Sequence, residues 1–109
     1  MELTQLLMHI RDVIKKGDPE AQHYTTSDKT RDAFTVWGEY EAFGLSADDG
    51  YVEQGWRFEV DHYTRTEFSP VAAQILAALR SDPGITVSYS VAYSYDTGYI
   101  RHVFDCEGC

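Results

Sequence analysis

Basic residues are scarce in this sequence. Lysine and arginine together number nine against 18 aspartates and glutamates, so the 109 residues carry a formal net charge of −9. Proteins that bind nucleic acid obtain much of their affinity from lysine and arginine contacts with phosphates, so this balance disfavours specific nucleic-acid binding. No apolar run approaches the roughly 20 residues of a membrane span, and no signal-peptide pattern opens the chain. We therefore expect a soluble, acidic protein that does not act at a membrane.

Cysteine is almost absent, and the two that occur, Cys106 and Cys109, form a C-x-x-C pair. Two cysteines cannot build a disulfide framework. Such a pair can bind metal or form a redox disulfide, but zinc needs four ligands and redox pairs lie at helix N-termini. The neighbouring carboxylates would also raise a thiol pKa. We interpret the pair as free thiols in a frayed tail, with a metal shared between subunits as the alternative.

Motifs for cofactors and catalysis are also missing. The sequence has no phosphate-binding loop, no dinucleotide-binding glycine pattern and no hydrolase nucleophile motif, so we expect no cofactor. The four histidines show no metal-ligand spacing. His62 and His102 lie on predicted strands and could meet across a sheet, where a half-buried, hydrogen-bonded histidine is the usual outcome. A small enzyme built on these histidines and nearby carboxylates remains a minor alternative.

Aromatic residues are plentiful, with eight tyrosines, five phenylalanines and two tryptophans. This composition favours a packed fold containing β-strands. The length fits one domain, which we assign to residues 1–109.

Apolar spacing predicts two helices. The first begins near residue 3 and ends at Gly17, with an apolar stripe at intervals of three and four residues. Ser69 and Pro70 open the second as N-cap and first helical residue, and Asp82 lies where it ends. Each helix is amphipathic and therefore needs a surface to cover.

Alternating residues predict four strands, over residues 33–43, 56–63, 85–95 and 99–106. Gly38 within the first strand indicates a bulge or a close neighbour. Residues 96–98 predict a three-residue hairpin loop with Gly98 in the left-handed conformation. We interpret the polar segment 18–32 as a connecting loop and residues 44–50 as a turn.

The resulting order is α-β-β-α-β-β. It predicts an α+β two-layer sandwich in which two helices cover one face of a mostly antiparallel four-stranded sheet. The uncovered face would be polar apart from tyrosines, which suits contact with a partner.

Carboxylates provide the first candidate surface. Glu39 and Glu41 are predicted to share one face of their strand, and Glu59 and Asp61 one face of the next, with Arg57 as the only evident neutralising residue. Such a stripe is typical of a solvated face; a subunit contact and acid–base chemistry are the alternatives.

Asp48 and Asp49 precede Gly50 in a sequence that lacks the ligand pattern of an EF-hand, so we interpret it as a turn.

The ordered pattern resembles the tail terminator and tail completion proteins of long-tailed bacteriophages. An amphipathic opening helix and a polar loop precede a strand of the type FTVWGEYEAF, followed by the turn SADDG and the strand GWRFEVDHYTRTEFSP. The helix VAAQILAALR and a hairpin ending TGYIRHVFDCE complete the pattern. The resemblance spans most of the chain, although the family's pattern does not include the C-x-x-C ending.

This resemblance implies a non-enzymatic structural protein that assembles as a hexameric ring on the tail tube. There it would stop tube polymerisation and join tail to head, in the virion after assembly in the host cytoplasm. Its implied partners are copies of itself, the tail tube and the head connector, with residues 18–32 and 44–55 as docking elements. Candidate interface residues are Glu39, Glu41, Asp48, Asp49, Glu59, Asp61, Tyr89, Tyr93, Tyr95 and Tyr99. The alternative is a small acidic inhibitor, either a toxin immunity protein or a DNA mimic, that binds a basic protein.

Overall fold

The structure, a computed structural model, describes residues 2–26, 30–46 and 52–109. Two helices and five strands follow one another as α1 (Leu3–Gly17), β1 (Gln22–His23), β2 (Ala33–Ser46), β3 (Val52–Thr64), α2 (Pro70–Ser81), β4 (Ile85–Tyr93) and β5 (Ile100–Gly108). The strands form one mixed sheet in the order β1-β2-β3-β5-β4. Both helices pack on the same face of this sheet, which confirms the predicted α+β architecture. The predicted count of four strands is wrong.

The additional strand is β1, which lies in the segment predicted to be a loop. It has two residues and runs parallel to β2, with Gln22 opposite Val36 and His23 opposite Trp37. The His23 ring stacks on Trp37 with the ring centroids 4.0 Å apart, which fixes the strand against the sheet. A two-residue strand has no alternation, so its sequence carries no periodic signal.

Helix α1 begins and ends where the sequence predicts. The Glu2 carboxylate caps its N-terminus by accepting hydrogen bonds from the backbone N–H groups of Thr4 and Gln5, at 2.7 and 3.3 Å. Its apolar stripe is buried against α2 and the sheet. The buried residues of this helix are Leu6, Ile10, Val13, Ile14 and Gly17.

Helix α2 also follows its predicted bounds, with Pro70 as its first residue. Ser69 occupies the N-cap position, but its hydroxyl makes no capping bond and lies 3.1 Å from His62 Nε2 instead. Ile75 and Leu79 are fully buried, and they pack with Phe58 and Phe104 of the sheet in one core.

Strands β2 and β3 form the predicted antiparallel pair. The close neighbour predicted at Gly38 is Tyr24, whose ring lies 3.0 Å from the place that a Cβ would occupy. A β-bulge at Tyr40 interrupts the register between Glu39 and Glu41. The bulge changes which face the following residues occupy.

Strand β5 continues to Gly108, and the Cys109 N–H donates a hydrogen bond to the Gly84 carbonyl at 3.0 Å. The prediction of a frayed tail is therefore wrong, because this segment is the second strand from the sheet edge. Cys106 is not in a disulfide, and burial, followed by the charges of Asp105 and Glu59, raises the pKa of its thiol to about 12.

Candidate functional site

The sheet face opposite the helices is charged. We call it the charged face, and it consists of Glu41, Arg57, Glu59, Asp61, Arg101, Asp105 and Glu107. These side chains alternate with buried residues such as Phe58 and Val60, which point toward the helices. The predicted polar second face is therefore present, and three neighbouring strands, β2, β3 and β5, contribute to it.

Arg57 lies at one end of the charged face between two carboxylates. Its guanidinium donates to Glu107 on β5 at 2.9 Å and to Glu41 on β2. All three side chains are substantially exposed, so these ion pairs add little stability. Their main effect is to neutralise part of the surface charge.

Arg101 neutralises the other carboxylate pair. Its guanidinium contacts Asp61 at 3.2 Å and Glu59 at 3.3 Å. Burial, followed by a hydrogen bond with Asp61 and repulsion from its charge, raises the pKa of Glu59 to about 7, although Arg101 acts in the opposite direction. Near neutral pH this pair therefore holds a proton part of the time. The prediction that Arg57 is the only neutralising residue is wrong, because the strand register brings in Arg101.

Glu39 does not belong to the charged face. It lies opposite Phe58, whereas Glu41, after the bulge, lies opposite Arg57, so the prediction that Glu39 and Glu41 share a face is wrong. The Glu39 carboxylate is bound by His23 Nε2 at 2.6 Å and by the Tyr24 hydroxyl. Burial alone would raise the pKa of Glu39, but the hydrogen bonds from Tyr24 and His23 lower it below its usual value.

The four candidate tyrosines have different environments. Tyr93 and Tyr95 are exposed, and their rings meet edge to face with centroids 4.9 Å apart. Tyr89 is partly exposed, and its ring stacks on Phe104 while its hydroxyl lies 2.6 Å from His102 Nδ1.

Tyr99 is buried, with 8% of its surface exposed. Its hydroxyl donates to the Arg31 carbonyl at 2.5 Å, and the Arg65 guanidinium lies 4.2 Å from its ring centroid. Tyr99 is therefore buried within a single chain, and its interface role stays a prediction. Asp48 and Asp49 lie outside the described residues, and their interface role stays a prediction.

A groove of about 660 Å³ lies on the charged face near the β4–β5 turn. Five tyrosine and phenylalanine side chains line it together with small residues, and Asp61 and Arg101 supply its charges. Phe34 stacks on Tyr63 within this lining, with ring centroids 4.8 Å apart. Sequence reasoning missed this groove because its walls come from four separate parts of the chain, residues 24–26, 34–36, 61–63 and 92–101. The aromatic content of these segments was the only sequence signal for the groove. Composition does not show which segments lie beside one another in the fold.

His62 and His102 face each other across β3 and β5, with ring centroids 5.8 Å apart. The predicted meeting of these histidines is confirmed. His62 Nδ1 lies 2.8 Å from the Thr35 hydroxyl, whereas His102 Nε2 is buried without a hydrogen-bond partner in the described residues. Burial lowers the pKa of both rings, that of His62 to about 4 with a further contribution from His102.

These histidines lie on the helix side of the sheet, whereas Glu59 and Asp61 lie on the charged face. The sheet therefore separates the groups on which the enzyme alternative depends. Residues 2–26, 30–46 and 52–109 contain no cluster of three or more histidine, cysteine or carboxylate side chains arranged to hold a metal ion. Within the same residues, no helix is long and apolar enough to cross a membrane.

No protein-family model matches this chain, and no curated protein matches it. Among solved structures, its fold is similar to that of a chain in the virion of a native gene transfer agent particle. The TM-score is 0.60, the match covers 96% of this chain and 88% of that chain, and the sequence identity is 10%. At this identity the likeness shows that the two chains share a fold.

Proposed function

We propose that this chain is a structural protein of a phage-like virion that acts as a tail terminator. In this role, six copies of the chain form a ring at the end of the tail tube, stop its growth and join it to the head. The observation that carries the proposal is the fold shared with a chain of a gene transfer agent virion over nearly the full length of both. The ordered sequence pattern of terminators supports the more specific role.

The two exposed surfaces of the chain are consistent with this role. A ring requires a heterologous contact, in which one patch of a subunit meets a different patch of the next. The exposed Tyr93 and Tyr95 belong to one such patch, whereas the charged face is a separate surface with different chemistry. Tyrosines are enriched in protein interfaces because they are large, rigid and amphipathic.

A non-catalytic role is part of this proposal. The separation of His62 and His102 from Glu59 and Asp61 by the sheet supports it. The proposed partners are other copies of the chain, the tail tube and the head connector. The proposed location is the head–tail joint of the virion, reached after assembly in the host cytoplasm.

A ring that turned the charged face inward would present acidic groups to passing DNA, and like charge would keep DNA from adhering. We propose testing this hypothesis with the triple variant Glu41→Gln, Glu59→Gln, Asp61→Asn. The hypothesis predicts assembled particles with slower DNA ejection. Glu39→Gln is the matched control, because Glu39 lies off this face. Unchanged ejection by the triple variant contradicts the hypothesis.

The proposed function is tested by disrupting the gene in the genome that carries it and measuring tail lengths by negative-stain electron microscopy. A missing terminator leaves overlong tails without heads, and a restored copy returns tails of one length. Headed particles with uniform tails in the disrupted strain would overturn the proposal.

The acidic-inhibitor alternative predicts a different result in solution. An inhibitor is a monomer that forms a tight, salt-sensitive complex with a basic protein, which gel filtration with light scattering detects. The placement of Arg57 and Arg101 among the carboxylates favours the structural role, because an inhibitor gains from unneutralised charge.

A further inference from the structure

Strand β4 is an edge of the sheet that lacks the usual protection. It is the last strand in the sheet order, and no charged residue occurs between Asp82 and Asp96. Edge strands are commonly protected from pairing by lysine, by proline or by a bulge. The nine residues of β4 contain none of these, and the register with β5 is unbroken. Since no strand in the described residues pairs with its outer side, this edge presents backbone hydrogen-bonding groups to another strand.

The side chains of β4 add to this surface. Val91 and Tyr93 are 55% and 54% exposed, and they alternate with small polar residues such as Ser90. An exposed, uncharged strand with β-branched and aromatic side chains is a template for a further strand.

The opposite edge of the sheet is also open over part of its length. Strand β1 pairs only with Val36 and Trp37 of β2. Beyond the bulge at Tyr40, no strand in the described part of the chain lies beside the outer edge of β2, which continues from Glu41 to Ser46. The sheet thus has two different open edges, as a heterologous contact requires.

We propose that β4 of one copy pairs with the outer edge of β2, beyond Tyr40, in the next copy. This inference rests on the proposed ring, and it identifies the subunit contact in that ring. Strands β2 and β4 run in opposite directions within the sheet, because three successive antiparallel pairings connect them. In a ring whose copies all have the same orientation, β4 of one copy therefore lies antiparallel to β2 of the next. The strands of neighbouring copies can be staggered along their length, as is normal when a sheet closes into a ring.

The charges favour a second copy as the occupant of this edge. Two chains of net charge −9 repel each other, so they associate most favourably where carboxylates do not meet. Strand β4 brings no charge to the contact, and Glu41 on β2 is already paired with Arg57. A contact between two β2 edges would instead place Glu41 near its own copy, which is unfavourable.

Cross-linking between copies tests this arrangement. In a Cys109→Ser background, one chain carries Ala42→Cys on β2, and a second carries either Thr86→Cys or Val91→Cys on β4. All of these positions are exposed, and Cys106 is buried. A short bismaleimide is added to each variant alone and to the mixtures, in concentrated protein and in tail-bearing particles. Ala77→Cys, exposed on α2, is the matched control.

The proposal predicts cross-linked dimers in a β2–β4 mixture and none in either variant alone or with Ala77→Cys. Dimers formed by a β4 variant alone would show twofold β4–β4 pairing and overturn the proposal. Oligomers that form without any of these cross-links would also overturn it, while leaving the proposed ring intact. Protein that stays monomeric both in solution and in particles would overturn the ring as well.

A charge introduced on β4 provides an independent test. Val91→Lys places an ammonium group at the proposed contact, whereas Met8→Lys makes the same change of charge at a residue of similar exposure on α1. We expect Val91→Lys to weaken self-association by about tenfold or more and Met8→Lys to have little effect. Circular dichroism establishes that both variants fold. Equal self-association of the two folded variants would contradict the proposal.

Discussion

The α-carbon of Ile75 lies 2.6 Å from the place that a Cβ on Gly17 would occupy. Helices α1 and α2 therefore approach each other closely at a residue with no side chain. The sequence predicted Gly17 only as the end of α1. In the structure, this glycine also sets the distance between the two helices.

Gly17→Ala is expected to destabilise the protein. The added methyl group would meet the backbone of Ile75, which cannot move without shifting α2 over the core. Overpacking of this kind typically costs about 1–3 kcal/mol of unfolding free energy. Urea unfolding measures the loss, and Lys16→Ala, at an exposed position beside it, is the control. An unchanged urea midpoint for Gly17→Ala would contradict the close approach.

Tyr99→Phe and Tyr95→Phe are expected to differ, although the chemical change is the same. Tyr99 is buried and its hydroxyl bonds the Arg31 carbonyl, so its loss should lower the unfolding free energy by about 1 kcal/mol. Tyr95 is 91% exposed, so Tyr95→Phe should leave the stability unchanged. Thermal unfolding of the two variants measures the difference. Equal melting temperatures would mean that the Tyr99 hydroxyl contributes nothing to the fold.

The buried histidines should make the protein less stable in acid. The folded-state pKa of His62 is about 4, below its usual value of 6.5, so the unfolded chain takes up the proton first as the pH falls. Stability is then lost between about pH 6.5 and 4, by up to about 1.4 kcal/mol per pH unit for this group. Urea unfolding across this range should show a shallower pH dependence for His62→Gln than for the wild type. Parallel profiles would contradict the burial of an uncharged His62.

Glu59 should have the opposite pH dependence. Its folded-state pKa is raised to about 7, so the folded chain holds the proton more tightly and the stabilisation is lost as the pH rises through 7. Glu59→Gln imitates the protonated form, so its stability relative to the wild type should increase from pH 5 to pH 8. Glu41→Gln, which removes a carboxylate from the same face, is the control. A constant difference at both pH values would contradict the raised pKa.

Long periodic segments of the sequence predicted most of the fold. The stripe of α1, the proline at the start of α2 and the alternation of β4 each extend over enough residues to determine an element. Gly98 also has the predicted left-handed backbone, although the connection between β4 and β5 spans residues 94–99 rather than the predicted 96–98. The two-residue β1 is too short to leave such a pattern.

The candidate surface was harder to predict, because it depends on contacts between distant segments. The bulge at Tyr40 places Glu41 on the charged face and leaves Glu39 on the other, and simple alternation cannot show this. Arg101 reaches Glu59 and Asp61 only through the register of β3 with β5. The Tyr99 hydroxyl bonds the carbonyl of Arg31, which lies 68 residues away in the chain.

The central claim is that this chain lies at the end of a virion tail as a ring of copies. Immunogold labelling of purified particles with an antibody against the chain tests it most directly. The proposal predicts gold at the junction between head and tail and no gold along the tube or over the capsid. Particles that carry no label, or that carry it elsewhere, would contradict the proposed function.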